Sequence, residues 1–207
     1  MRRGADAARR VADVGVAVVG LAVTAPVLTI ASGAVRLALG PPVLFRQRRL
    51  GRGGRPFWIL KLRTMHHAAD GRGSAEFDGE RLTRLGRFLR ATSIDELPSL
   101  VNLMRGELTL VGPRPLPVHY WQRFRGDEYA RFEVKPGITG LAQVSGRNTV
   151  DWTDRLAIDA RYVRERTVLG DLRIVARTVP LVLRRAGVVG GPSGTMHPLP
   201  PDRDASA

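Results

Sequence analysis

VGVAVVGLAVTAPVLTIA, residues 14–31, carries no charge over a length close to the ~20 residues a helix needs to cross a bilayer. Basic residues flank it on both sides, Arg2, Arg3, Arg9 and Arg10 before and Arg36, Arg46, Arg48 and Arg49 after. Three forms fit such a run: a cleaved signal peptide ending near Ser32-Gly33-Ala34, a spanning helix, or a helix that enters the bilayer, bends and returns. Two features favour the third. Pro26 removes a backbone donor inside the run and kinks a helix, and the positive-inside rule draws both basic flanks to the cytoplasm, which a straight span cannot satisfy. Thr24 offers a hydroxyl to the backbone groups freed at such a bend. Residues 1–39 therefore read as a basic flank and a re-entrant membrane helix, with the plain span still open.

Working outward, the chain has 207 residues and no cysteine, which excludes a disulfide framework and a thiolate zinc site. The formal charge of +14 suits an anionic membrane surface, phosphorylated substrates or nucleic acid. Only 6% of the residues are aromatic and no basic–aromatic or zinc-finger signature appears, so nucleic acid is the weakest of the three.

Residues 43–45 and 57–62 read as two short strands around a Gly/Arg-rich turn at 51–56. Residues 66–80 read as a loop, in which His66 and His67 lack partners at metal-site spacing. Short helices are expected over 82–90 and 94–104, a strand over 108–111, a helix over 120–132 and a strand over 138–144. Helices follow over 151–166 and 171–185. The last mixes apolar residues with Arg173, Arg177, Arg184 and Arg185, which fits a helix on an anionic membrane surface and nearly as well a core helix with a solvated side. Residues 40–186 form the catalytic unit in this reading, and the Gly/Pro-rich 187–207 a disordered tail.

The segment most informative for chemistry is RATSIDELP, residues 90–98. Ser93 and Glu96 have capping-box spacing, which would place Asp95 and Glu96 in a first helical turn, where the helix dipole favours an ionised carboxylate. Acidic residues are common at helix starts, so this segment alone does not establish a site. Arg63, Arg90 and Arg114 add weight because they lie in compact motifs, with Arg114 held between two prolines; an immobilised arginine suits a phosphate clamp, and equally a salt bridge. An acidic pair among arginines suits phosphoryl chemistry, with a carboxylate able to attack phosphorus and Mg²⁺ and arginine offsetting charge.

The chain resembles the bacterial sugar transferases, also called monotopic phosphoglycosyl transferases, over residues 10–183. The motifs, in order, are GPPVLFRQ (40–47), KLRTM (61–65), SIDELP (93–98), VGPRP (111–115), PGITG (136–140) and GRN (146–148). The resemblance implies an α/β fold: a helix-rich single domain with a small sheet, an N-terminal re-entrant membrane helix broken at Thr24-Ala25-Pro26, and membrane-surface amphipathic helices. It implies transfer of a sugar-1-phosphate from a UDP-sugar to polyprenyl (undecaprenyl) phosphate at the cytoplasmic face of a bacterial membrane. UMP is released and the phospho-sugar passes through Asp95, in the first step of exopolysaccharide, capsule or O-antigen assembly. Glu96, with Asp95, would hold Mg²⁺, and Lys61, Arg63, Arg90, Arg114, Arg147 and Asp159 would contact substrate. Membrane lipids are implied partners, nucleic acid is not, and a homo-oligomer is compatible. Ala25 replaces the family's serine at the break, and Leu141 and Ser145 replace its usual Trp and Asn, so the sugar is not transferable from the resemblance. The alternative is a non-catalytic, basic, membrane-associated scaffold.

Overall fold

Arg2–Leu39 form one helix, α1, in the computed structural model, which describes residues 2–67, 78–146, 151–183 and 198–200. The helix is long and apolar enough to cross a membrane, with a mean hydropathy of 2.3 in its most apolar window. Its two sides have different fates. Ala17, Ala31 and Val35 are buried against the rest of the chain, and Gly20 lies under Leu100, whose Cδ1 would stand 3.1 Å from an added Cβ. This three-to-four-residue spacing is one face of a helix. Val11, Val18, Val19, Val23, Ile30 and Leu37 remain exposed.

Both ends of α1 are tied to one body. Near the start, Arg10 donates to the carbonyls of Leu103 (2.8 Å) and Met104 (2.7 Å), satisfying the open C-terminal end of helix α4 (Ser99–Arg105). Asp13 accepts from the Leu110 backbone N–H (2.7 Å) and the Thr109 hydroxyl (3.1 Å). At the other end, Arg63 donates to the carbonyls of Leu39, Gly40 (2.5 Å) and Pro41 (3.0 Å). The helix continues through Pro26, with Thr24 donating to the Gly20 carbonyl at 2.6 Å, one turn back.

Strands β1 (Leu44–Leu50) and β2 (Pro56–Leu62) form an antiparallel hairpin in which Phe45 faces Lys61 and Arg49 faces Phe57. β1 is longer than expected: it runs on through the arginines of FRQRRL, each residue from Leu44 to Leu50 having a partner on β2. Gly53 and Gly54 turn the chain at φ 65° and 72°, and Gly54 lies under the Trp121 ring, where a Cβ would come within 2.5 Å. A second, parallel pair joins β3 (Thr109–Val111) to β4 (Gly137–Thr139), so the expected single sheet is two separate two-stranded ones. Gly137 is required there: a Cβ would lie 2.1 Å from the Gly112 nitrogen.

Helices α2 (Asp78–Arg81), α3 (Arg84–Ala91), α4, α5 (Leu141–Ser145), α6 (Trp152–Glu165) and α7 (Val168–Leu183) complete the body. The Thr83 hydroxyl caps α3 and the Asp151 carboxylate caps α6. Three expectations need correction. The helix over 94–104 is a 3-10 turn, Ile94–Glu96, followed by α4, because Pro98 lacks the N–H that continuity needs. The helix over 120–132 is two 3-10 segments, Val118–Arg123 and Gly126–Phe132, separated by extended residues. The strand over 138–144 stops at Gly140, from which α5 begins.

The hairpin, α1 and α4 share a core of Ala17, Phe57, Ile59, Leu103 and Leu108. A second cluster, Leu50, Leu116, Tyr120, Phe124, Phe132 and Leu156, also contains Leu199. Leu199 is fully buried and its N–H donates to the Tyr120 hydroxyl at 3.1 Å. The expected disordered tail thus holds an anchored residue; 187–197 and 201–207 lie outside the described residues.

Candidate active site

Three connections bring the charged groups to one place. β2 carries Lys61 one residue before its end, the 3-10 turn carries Asp95 and Glu96, and the turn after β3 carries Arg114. Ser93, before the acidic pair, has φ 58° and ψ 16°, a left-handed conformation uncommon for a residue with a Cβ. It reverses the chain after α3. The expected capping box does not form: Ser93 makes no side-chain cap, and the Glu96 side chain is engaged elsewhere. Tertiary partners have displaced a local motif.

Glu96 Oε1 accepts from Lys61 Nζ at 2.6 Å and from Arg114 Nη2 at 2.7 Å. The charges of Arg114 and Lys61 hold the Glu96 carboxyl well below the usual range, although burial acts in the opposite sense. Asp95 has a different environment. It is buried, 7% exposed, and among the described residues no side chain or backbone N–H donates to it. Burial, and then the Glu96 charge, push it up to about 6, against the opposing pull of Lys61, Arg90 and Arg114. At neutral pH it is still mostly ionised. Arg90, at the end of α3, is placed by its Nε on the Thr64 hydroxyl (3.1 Å); burial lowers it and the Asp95 charge offsets part of that shift.

A cleft beside this pair is lined by Arg49, Ile59, Lys61, Glu96, Ser99 and Arg114, among others. Behind it, Arg131 donates to the Arg114 carbonyl at 2.7 Å and pairs with Asp159 at 3.1 Å, both side chains almost fully buried. Further back, the Tyr162 hydroxyl lies 3.0 Å from the Val111 carbonyl and 2.8 Å from Asp171 Oδ1, while Arg9 of α1 donates to Asp171 Oδ2 at 2.6 Å. The stiff Val111–Pro115 turn is therefore braced from within.

Of the residues singled out in the sequence, Asp95, Glu96, Lys61, Arg90 and Arg114 gather at this site. Asp159 does not line the cleft; it supports Arg131. Arg63 is buried at the end of α1, its nitrogens on three carbonyls and on His67 Nε2 (2.7 Å). Thr24, Ala25 and Pro26 lie within α1. Arg147 falls outside the described residues. Sequence reasoning missed Arg131 as a brace and Arg49 as a cleft residue. The signal for Arg49 was available: residues 49, 59 and 61 share a face once the hairpin register is known.

The described residues contain no group of three His, Cys, Asp or Glu side chains suited to a metal. Two adjacent carboxylates are nevertheless a donor set that suits Mg²⁺, which commonly takes one or two carboxylates together with substrate phosphates and water.

The bacterial sugar transferase family profile matches residues 4–185. A UDP-glucose:undecaprenyl-phosphate glucose-1-phosphate transferase of Caulobacter vibrioides is 46% identical over 192 residues, 88% of this chain and 72% of its own. An uncharacterized sugar transferase of Bacillus subtilis is 42% identical over 180 residues, covering 87% and 89% of the two chains. An undecaprenyl-phosphate galactose phosphotransferase of Salmonella typhimurium is 39% identical over 165 residues, covering 72% of this chain and 35% of that one. With an acidic pair, its glutamate clamped by two cations, at the centre of the matched region, and with relatives of this similarity over most of its length, the chain belongs to the bacterial sugar transferase family.

Proposed function

We propose that the chain transfers a sugar-1-phosphate from a UDP-sugar to a polyprenyl phosphate, releasing UMP. The relatives named for undecaprenyl-phosphate transfer support the reaction class. The observation that carries the mechanism is the unlike state of two adjacent carboxylates. Glu96 is immobilised by two cations, whereas Asp95 accepts no hydrogen bond among the described residues and stays mostly ionised at neutral pH, as suits a nucleophile.

In this reading an Asp95 carboxylate oxygen bonds to the β-phosphorus of the donor, and the bond from that phosphorus to the bridging oxygen breaks. UMP leaves with that oxygen, and the phospho-sugar remains on Asp95. An oxygen of the polyprenyl phosphate then bonds to the same phosphorus, breaking the link to Asp95 and regenerating the carboxylate. Asp95 and Glu96 would hold Mg²⁺, which supplies charge neutralisation at the phosphates when bound. Lys61, Arg90 and Arg114 orient phosphate oxygens around the acidic pair.

The membrane reading follows from α1. Its bare apolar side suits lipid, and the attachment of both its ends to the same body favours both ends lying on the cytoplasmic side. The chain has no cysteine, so single cysteines at Ala5 and at the exposed, charged Arg36 report cleanly. Both should react with an impermeant maleimide only from the cytoplasmic side; labelling of one end from outside would replace this arrangement by a span.

The test of the reaction uses the full chain in detergent with Mg²⁺, polyprenyl phosphate and a panel of UDP-sugars. Release of UMP, and a donor-only mass increase equal to one phospho-sugar at Asp95, are the expected results. Release of UDP would mean ordinary glycosyl transfer. Membrane binding without any turnover, unchanged by Asp95→Asn, would mean a scaffold.

A further inference from the structure

The cleft holds a cation that neither the acidic pair nor the brace behind it uses. Arg49 lies near the end of β1, where its backbone bridges to Pro117 and the next residue, Leu50, donates to the Leu116 carbonyl at 2.8 Å. These contacts fix that end of the strand against the turn bearing Arg114. The alternation of the hairpin puts Arg49 on the face of Ile59 and Lys61, and all three line the cleft with Glu96 and Arg114.

Its donors are unequally used. Nη1 donates to the Pro115 carbonyl at 3.2 Å, while Nε is buried with no partner among the described residues. Several arginines carry such a nitrogen, but among them Arg49 is the one lining this cleft. A buried donor left unmade costs free energy, and a second guanidinium beside Arg114 adds like-charge repulsion. Burial, and then Arg114, accordingly lower Arg49 to about 10. Lys61 and Arg114 share the Glu96 carboxylate, and the cleft keeps a surplus of positive charge. A cation oriented through one nitrogen, with another donor unmet among the described residues and two more cations beside it, suits an anion with several oxygens.

We propose that Arg49 is a phosphate-binding residue of this cleft, its guanidinium donating to a phosphoryl oxygen while Nη1 stays on the Pro115 carbonyl. The proposal rests on the transfer reading for the identity of the phosphate, which is that of the nucleotide or that of the lipid.

The experiment compares the full chain in detergent with Arg49→Gln and Arg49→Lys. It measures equilibrium binding of UMP with Mg²⁺, the KM for polyprenyl phosphate and the melting temperature. For Arg49→Gln, UMP binding about tenfold weaker or more assigns the residue to the nucleotide side. Wild-type UMP binding with a KM for the lipid raised about tenfold assigns it to the acceptor. Values within twofold of wild type in both overturn the proposal. Arg49→Lys guards against a purely structural effect: a single ammonium can still reach Pro115 but cannot serve two acceptors in the fixed geometry of a guanidinium. Binding that remains severalfold weak in Arg49→Lys at an unchanged melting temperature supports the proposal, and full restoration by lysine overturns it. UMP binding is read without turnover. A wild type that binds UMP yet releases none from any donor defeats the transfer reading and leaves Arg49 standing.

Discussion

Two ion clusters lie on either side of the Val111–Pro115 turn and behave differently. In front, one carboxylate oxygen of Glu96 is shared by Lys61 and Arg114 in a half-open cleft, with Asp95 and Arg49 beside it. Behind, Arg131 and Asp159 pair almost out of reach of water, and Arg131 also holds the Arg114 carbonyl. Among the described residues the front cluster has more cation than anion and a carboxylate without donors. The rear pair is a direct contact between two buried side chains, with the buried Arg155 charge acting on both. The difference is one of access: cations around a partly solvated cleft can be tested for ligand binding, whereas a directly paired, almost fully buried couple mainly specifies geometry.

The largest effect should come from the front. Asp95→Asn should reduce transfer by at least about 10³-fold, because it removes the proposed nucleophile. It should also stabilise the fold by about 1 to 3 kcal/mol at neutral pH, since it removes a buried, poorly solvated charge. Activity and thermal unfolding on the same preparation check both; a loss of stability would mean that Asp95 is a structural carboxylate.

The rear cluster should respond the other way. Arg131→Met leaves Asp159 buried without its partner and should cost about 3–5 kcal/mol by denaturant unfolding. Adding Asp159→Leu should recover much of that stability while transfer stays low, because Arg114 has still lost its brace. Full recovery of activity in the double variant would remove the link between the two clusters.

Glu96→Gln should lower transfer about 10–100-fold, a typical size for a residue that orients or holds a metal and its neighbours. Its melting temperature should move less than that of Arg131→Met, since the front cluster is partly solvated.

The pH dependence should be the mildest effect. Asp95 is raised to about 6, so transfer should fall about tenfold per unit as pH drops below 6, while Glu96 stays ionised. The stability sign is opposite. A group raised in the folded state contributes stability fully below its unfolded value, near 4, and that contribution is lost as pH rises through about 6. Asp95→Asn should flatten this stability slope.

Local patterns were legible where neighbours in sequence decide the outcome. The uncharged run became a long helix, Gly and Pro marked the hairpin turn, and Asp151 began α6. They misled where distant groups competed. Ser93 and Glu96 had the spacing of a cap, yet Lys61 and Arg114 took the glutamate. Residues 138–144 had strand-forming composition, but only the first two of them pair with β3, through β4, and α5 takes over after Gly140. Arg63 and Asp159 looked equivalent to Arg114 as charged motif residues, and packing gave them scaffold positions instead.

Sequence by itself determined that this chain carries an apolar N-terminal helix, an excess of positive charge and an acidic pair among arginines in ordered motifs. Those properties follow from residue type and spacing alone. Tertiary structure decided which carboxylate is clamped and which is left without a donor, which arginines face the cleft, and that both ends of the helix hold the same body. Each of these depends on burial and on partners dozens of residues away, because the strength of a charge is set by what surrounds it.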